Sequence, residues 1–217
     1  MQEHKNAVFG ILCKKLEKEG KIPFFDDALI NLYRLLTMYF TNNPEFENHA
    51  FIGGEYKMPY SLKKGILLMG LWGAGKSYAL EKVFWAYAKK FDGTEYNLMK
   101  TSDLIKDFQL KGLVGLDDYK RFGFTNDKYS GLYLDEIGAK PHIVKHYGTN
   151  YKPIEHFIDF RYTLFTDLKI KTHASTNLTL SEFKELYDPR IYSRMFEMFN
   201  IIHVNTSKDL RMNFEKI

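Results

Sequence analysis

The 217-residue chain carries 31 basic and 27 acidic residues, a formal charge of +4, with 45% hydrophobic and 27% charged residues. That is the make-up of a globular domain with a sizeable core, and so mild a basic excess does not by itself call for nucleic acid. A single cysteine, Cys13, excludes an intrachain disulfide and a cysteine-built zinc module.

In chain order, residues 4–19 place Val8, Phe9, Ile11, Leu12 and Leu16 among charges and predict a short amphipathic helix, stopped at Gly20. Residues 26–41, with Leu29, Leu32, Tyr33, Leu36, Met38, Tyr39 and Phe40, predict a more apolar helix capped by Asp26 or Asp27. That helix has two open readings, a face for a partner or packing on its own domain. The Asn-, Pro- and Gly-rich stretch that follows reads as a connector. From residue 64 apolar runs alternate with helical stretches. Strands are predicted over 65–69, 95–100, 131–136, 169–177 and 200–205. Helices are predicted over 76–91, 102–110 (opened by Ser102), 152–168 and 180–187. Such alternation implies an α/β fold with a mostly parallel sheet covered on both faces, whose ligands sit beyond the carboxyl ends of the strands. No signal-peptide core opens the chain, and the longest apolar run, around GILLMGLWGAG, falls short of the ~18 residues a membrane span needs. With the cysteine usage, this leads to the expectation of a cytosolic protein.

Four motifs fall at predicted strand ends. The first is GLWGAGKS, where Gly70, Gly75, Lys76 and Ser77 fill every fixed position of G-x-x-x-x-G-K-[ST]. Glycines let the backbone curl around phosphates, the next helix adds the positive end of its dipole, Lys76 reaches the β- and γ-phosphates, and Ser77 holds Mg²⁺. The second is LYLDEIG, in which Asp135 and Glu136 directly follow an apolar strand; one suits Mg²⁺ and the other the polarisation of a water. The third is THASTNLT, where Asn177 is placed either to bond a γ-phosphate or water, or to make a turn or helix cap. The fourth is YDPRIYSRMFEMF, whose Arg190 and Arg194 share a helix face. They read either as a basic face bridged to Glu185 or Glu197, or as an arginine finger.

Together these features resemble an AAA+ ATPase, over about residues 64–212. Gly70–Ser77 matches its Walker A, Leu132–Glu136 its Walker B, Asn177 its sensor 1, and Arg190/Arg194 its arginine-finger box. LDEIG, Tyr147-Gly148, Arg161-Tyr162, STNL and the Y-x-x-R-I-x-S-R-M run further resemble the DnaC/DnaI/IstB-like branch of helicase loaders and transposition ATPases. The resemblance implies a sheet of order 5-1-4-3-2 flanked by helices, a short helical N-terminal extension (1–60) and an ATPase domain (61–217) without a full C-terminal lid. It implies ATP contacts from Gly70, Gly73, Gly75, Lys76, Ser77 and Tyr78, Mg²⁺ at Ser77 and Asp135, and catalytic roles for Glu136, Asn177, Arg194 and, in support, Arg190. It also implies a homo-oligomer joined through the finger, a replicative helicase as partner, contact with single-stranded DNA, and the cytoplasm of a bacterial or phage-infected cell. The alternatives it leaves are an IstB-like transposition ATPase and a weakly hydrolysing nucleotide-binding scaffold. Arg211 is the position that could stand in for a sensor 2 arginine.

Three further segments are noted. HIVKH would put His142 and His146 on one helix face, but lacks the Glu of a zinc protease motif. Lys111, Lys120, Arg121 and Lys128, interleaved with Tyr119, Phe122, Phe124 and Tyr129, suit either a single-strand path or a solvated loop with core aromatics. Asp117-Asp118 reads as a surface turn.

Overall fold

The computed structural model describes residues 2–53, 56–90, 93–120, 124–125, 128–138, 141–206 and 208–211. Contacts divide the chain into two compact units, residues 1–62 with 68–95 and 202–217, and residues 63–67 with 96–201.

In the first unit, α1 (Gln2–Lys18) buries Val8 and Leu12, and α2 (Asp27–Phe40) buries one apolar face from Leu29 to Phe40. Asp26 caps α2 by accepting the Leu29 N–H at 2.9 Å, satisfying one of the donors a helix start leaves open. Of the two readings open for this helix, the apolar face packs on its own unit: Tyr33 and Phe40 lie against Phe84, the latter ring pair stacked at 5.2 Å. The expected connector carries regular structure. A 3₁₀ turn (Pro44–Asn48) leads to a hairpin of β1 (Ala50–Gly53) and β2 (Tyr56–Pro59), with Phe46 stacked on Tyr60. Beyond β3 (Gly65–Met69), every residue of which is buried, the chain enters the glycine loop. The helix after the loop is wound as a wide π-helix over Tyr78–Phe84 and narrows to α3 (Trp85–Ala88). Wide turns of this kind occur frequently at functional sites.

The second unit holds β4 (Tyr96–Lys100), α4 (Thr101–Lys111), α5 (Leu113–Lys120), β5 (Phe124–Thr125), β6 (Lys128–Tyr129), β7 (Gly131–Asp135), β8 (Val144–His146), β9 (Thr149–Tyr151), α6 (Pro153–Leu168), β10 (Thr172–Thr176), α7 (Leu180–Leu186) and α8 (Pro189–Met198). The last strand, β11 (Phe199–His203), completes a five-stranded sheet of order β11-β3-β10-β7-β4. Numbered along the chain, these five strands run 5-1-4-3-2, as expected. β10 and β4 both pair with β7 in parallel, with His173 opposite Tyr133 and Lys100 opposite Asp135.

Three local expectations are corrected. Asp117 and Asp118 sit on α5, where Asp117 pairs with Lys120 one turn on, not in a surface turn. HIVKH is not helical: Val144–His146 is a strand, turned at Tyr147 (φ 47°) and Gly148 (φ 80°) into β9, a two-residue hairpin that needs positive φ at both positions. Among the described residues no cluster of three or more metal-ligating side chains occurs. Helix α4 starts after Lys100 without a side-chain cap, so Ser102 does not open it. No described helix is long and apolar enough to cross a membrane.

His173 lies in the core of this unit, and its Nδ1 accepts the Ile66 N–H at 3.2 Å. Burial, reinforced by the nearby charges of Lys171 and Arg161, pushes its pKa down to about 3. The folded chain therefore binds this proton less readily than the unfolded chain does. Stability from His173 is complete above the ordinary value of 6.5 and is lost as pH falls from there toward 3, by up to about 1.4 kcal/mol per unit. Urea unfolding across this range checks it. His173→Gln, which cannot charge, should flatten the slope by up to one proton, and an unchanged slope would refute it.

Candidate functional site

The glycine loop belongs to the first unit. Gly73 (φ 74°) and Gly75 (φ 83°) take a left-handed backbone that side-chain-bearing residues rarely adopt, which is how the loop curls. Lys76 is buried and folds back over its own loop, its ammonium donating to the carbonyls of Gly70 (2.7 Å) and Leu71 (2.8 Å). Ser77 is followed immediately by the wide helical turn. The Tyr78 hydroxyl is buried with no hydrogen-bond partner among the described residues, and burial together with Glu19 pushes its pKa up to about 12. Asp209 and Leu210 lie against the same loop. The Leu210 N–H donates to the Gly73 carbonyl at 2.9 Å, the Asp209 carboxylate packs on Gly73, and Thr206 bonds Asp26 at the start of α2. Arg211 is exposed. A curled glycine backbone, a lysine held over it and a hydroxyl at the helix start fit a polyphosphate and its Mg²⁺.

The acidic turn belongs to the second unit, and three strand ends hold it. Asp135 ends β7, and Glu136 follows in a left-handed backbone, φ 62°. Such a conformation in a non-glycine residue persists only where its surroundings enforce it. They do so here. Thr101, the first residue of α4 directly after β4, donates its hydroxyl to the Asp135 and Glu136 carbonyls at 2.8 and 2.7 Å. On the other side, the Glu136 N–H donates to Ser175 Oγ at 3.0 Å and the Ile137 N–H to the Ser175 carbonyl at 2.8 Å. The exposed Glu136 carboxylate accepts from Asn177 Nδ2 at 3.0 Å. Asp135 Oδ1 accepts from both the Tyr133 hydroxyl (2.7 Å) and the Ser175 hydroxyl (2.8 Å). The sequence therefore names Asp135, Glu136 and Asn177, which the fold brings together. It misses Thr101, Tyr133 and Ser175. A signal was present for two of these: Tyr133 and Ser175 lie two residues before Asp135 and Asn177, on the same strand face.

Arg190 and Arg194 do share a face of α8, but their partner is neither Glu185 nor Glu197. Both pair with Asp159 of α6, Arg190 at 2.6 Å. The Arg194 guanidinium also lies 4.4 Å from the centre of the Tyr162 ring, whose hydroxyl donates to Glu197. In the candidate single-strand segment, Lys111 is near Asp107 and Asp118, Lys120 pairs with Asp117, and Tyr129 packs on Phe160. Arg121, Phe122 and the side chain of Phe124 lie outside the described residues.

No family model and no curated protein matches the chain. Solved structures do. The crystal structure of DnaI is 17% identical over 88% of each chain, with a TM-score of 0.55. The DnaC helicase loader is 18% identical over 85% of this chain and 94% of that one, with a TM-score of 0.57. AMPPCP-bound DnaA from Aquifex aeolicus is 15% identical over 87% of this chain and 50% of that one, with a TM-score of 0.56. The fold is thus the AAA+ fold, in an arrangement similar to that of the DnaC and DnaI structures.

Proposed function

We propose that the chain is an ATP-dependent loader of a hexameric replicative DNA helicase. What carries the reading is the acidic turn: a Walker B pair gripped from both neighbouring strands, in a chain that also carries a complete Walker A and folds like DnaI and the DnaC helicase loader. Lys76, Gly70, Gly73, Gly75 and Tyr78 bind ATP. Ser77 and Asp135 hold Mg²⁺, whose charge offsets that developing on the phosphates. Glu136 takes the proton of the attacking water, and Asn177 positions it. Arg194, supported by Arg190, leaves Asp159 to complete the site of a neighbouring copy. ATP favours the assembled form that grips single-stranded DNA, and hydrolysis releases it.

Arg194→Ala should keep nucleotide binding and lower hydrolysis by about 10³-fold, the lower end for an arginine finger. Normal turnover in that variant, measured by phosphate release, would sink the finger assignment. The partner is tested by capture from host lysate with the tagged Glu136→Gln protein in ATP. Recovery of the replicative helicase supports the loader. Recovery of a transposase without helicase overturns it while leaving the ATPase chemistry intact.

A further inference from the structure

We propose that Tyr133 and Ser175 are positioning residues for the divalent cation, acting through Asp135. The inference rests on the ATPase reading above and adds to it which side chains set the metal affinity.

The argument starts from strand geometry. Side chains two residues apart on a strand share a face, so Tyr133 stands beside Asp135 on β7. Parallel pairing with β10 puts His173 opposite Tyr133 and Ala174 opposite Leu134, which brings Ser175 level with Asp135. The Tyr133 and Ser175 side chains are fully buried, and their hydroxyl oxygens lie 3.0 Å apart. With both hydroxyls donating to Asp135 Oδ1, Ser175 Oγ is left to accept the Glu136 N–H, and the two hydroxyl oxygens face each other without a proton between them.

Two converging donors on a single oxygen do what one cannot. One donor leaves a carboxylate free to rotate about its last torsion; two on the same oxygen, from different directions, fix its plane. The direction of the other oxygen is then set by trigonal geometry before any cation arrives. A cation meeting a carboxylate already in place does not have to order it, and outer-shell partners of this kind typically contribute 10–100-fold to metal affinity. Ser175 also ties the two acids together, since the same oxygen that donates to Asp135 anchors the backbone of Glu136. Its loss should loosen both acids, whereas loss of the Tyr133 hydroxyl should act directly on Asp135 and reach Glu136 only through Ser175.

The test is a Mg²⁺ titration of ATP hydrolysis by the full chain. In Tyr133→Phe, which removes one oxygen without changing the ring's volume, the Mg²⁺ concentration for half-maximal rate should rise about 10-fold while the rate at saturating Mg²⁺ is kept. In Ser175→Ala the half-point should rise at least as far, and the saturated rate should fall as well. ATP binding in EDTA should be unchanged in both, and the hydroxyl-retaining Ser175→Thr should return the half-point toward the natural value. A role confined to packing predicts the reverse: a lowered melting temperature with an unmoved half-point, and that result in the folded Tyr133→Phe protein overturns the proposal with the ATPase reading intact. Absence of Mg²⁺-dependent hydrolysis in the unsubstituted chain overturns both.

Discussion

Glu136→Gln is expected to bind ATP as tightly as the natural chain and to hydrolyse it about 10³-fold more slowly, the usual scale for removing a general base. The structure makes this substitution clean. The position of residue 136 is set by its backbone, through Thr101 on one side and Ser175 on the other, and none of those bonds uses the carboxylate. A glutamine of the same length still offers Oε1 to Asn177 Nδ2. Side-chain length and the Asn177 contact are kept, while the negative charge and the capacity to take a proton disappear. Nucleotide affinity, melting temperature and turnover measured together check it, and hydrolysis near the natural rate would show that Glu136 is not the base.

Arg161→Met is expected to destabilise the second unit by about 3 kcal/mol, a fall in Tm of about 6–12 °C for a chain this size. Arg161 is buried, and burial lowers its pKa to about 10, which still leaves it charged at neutral pH. It donates to Thr172 Oγ1 at 2.9 Å, to the Lys171 carbonyl at 3.0 Å and to the Ser130 carbonyl at 3.4 Å, so it laces the start of β10 to the approach of β7. Two effects compete. Removing a desolvated cation is favourable in itself, and buried ion pairs have been replaced by apolar residues without loss. Here, however, the acceptors stay behind: the Lys171 carbonyl keeps the Leu132 N–H at 3.3 Å, but the Ser130 carbonyl and Thr172 Oγ1 each lose a donor, and a buried group left unmet costs about 1–3 kcal/mol. The second effect should win. Thermal and urea unfolding decide it, and an unchanged Tm would show that water takes over those acceptors.

The parts of the fold legible in the sequence were those with a strong local signature. Strands β3 and β7 are buried along their middles and so read as apolar runs, whereas β10, THAST, is buried along its whole length yet mostly polar in sequence. The glycine loop and the acid pair announce themselves by residue type at strand ends. What escaped depends on contacts distant along the chain. The hairpins β1–β2 and β8–β9 have strands of three or four residues, too short to show a period. Helix α5 carries Gly115 within its eight residues and is only weakly amphipathic, so Asp117-Asp118 looked like a turn. Arg161 stood out in the sequence only through the Arg161-Tyr162 pair, and nothing local tells that its guanidinium meets the start of β10 rather than solvent. Asp159 likewise gave no sign that it gathers both Arg190 and Arg194, because the partners lie more than 30 residues apart.

The two ends of β3 bear on how a mutational screen of this protein would be read. A Cβ on Gly65 would overlap the Thr172 carbonyl oxygen, and one on Gly70 would overlap that of Val204. Both obstacles are backbone, which cannot swing aside as a side chain can. Gly70 is therefore demanded by sheet packing before any phosphate is considered, although it is also the first glycine of the loop. Scored by activity alone, substitutions at Gly65, Gly70 and Lys76 would look equally intolerant, and the strand's spacing requirement would pass for chemistry. Counting soluble protein for each variant separates them: Gly65 and Gly70 should be depleted from the soluble pool, whereas Lys76 variants should remain in it, folded and silent.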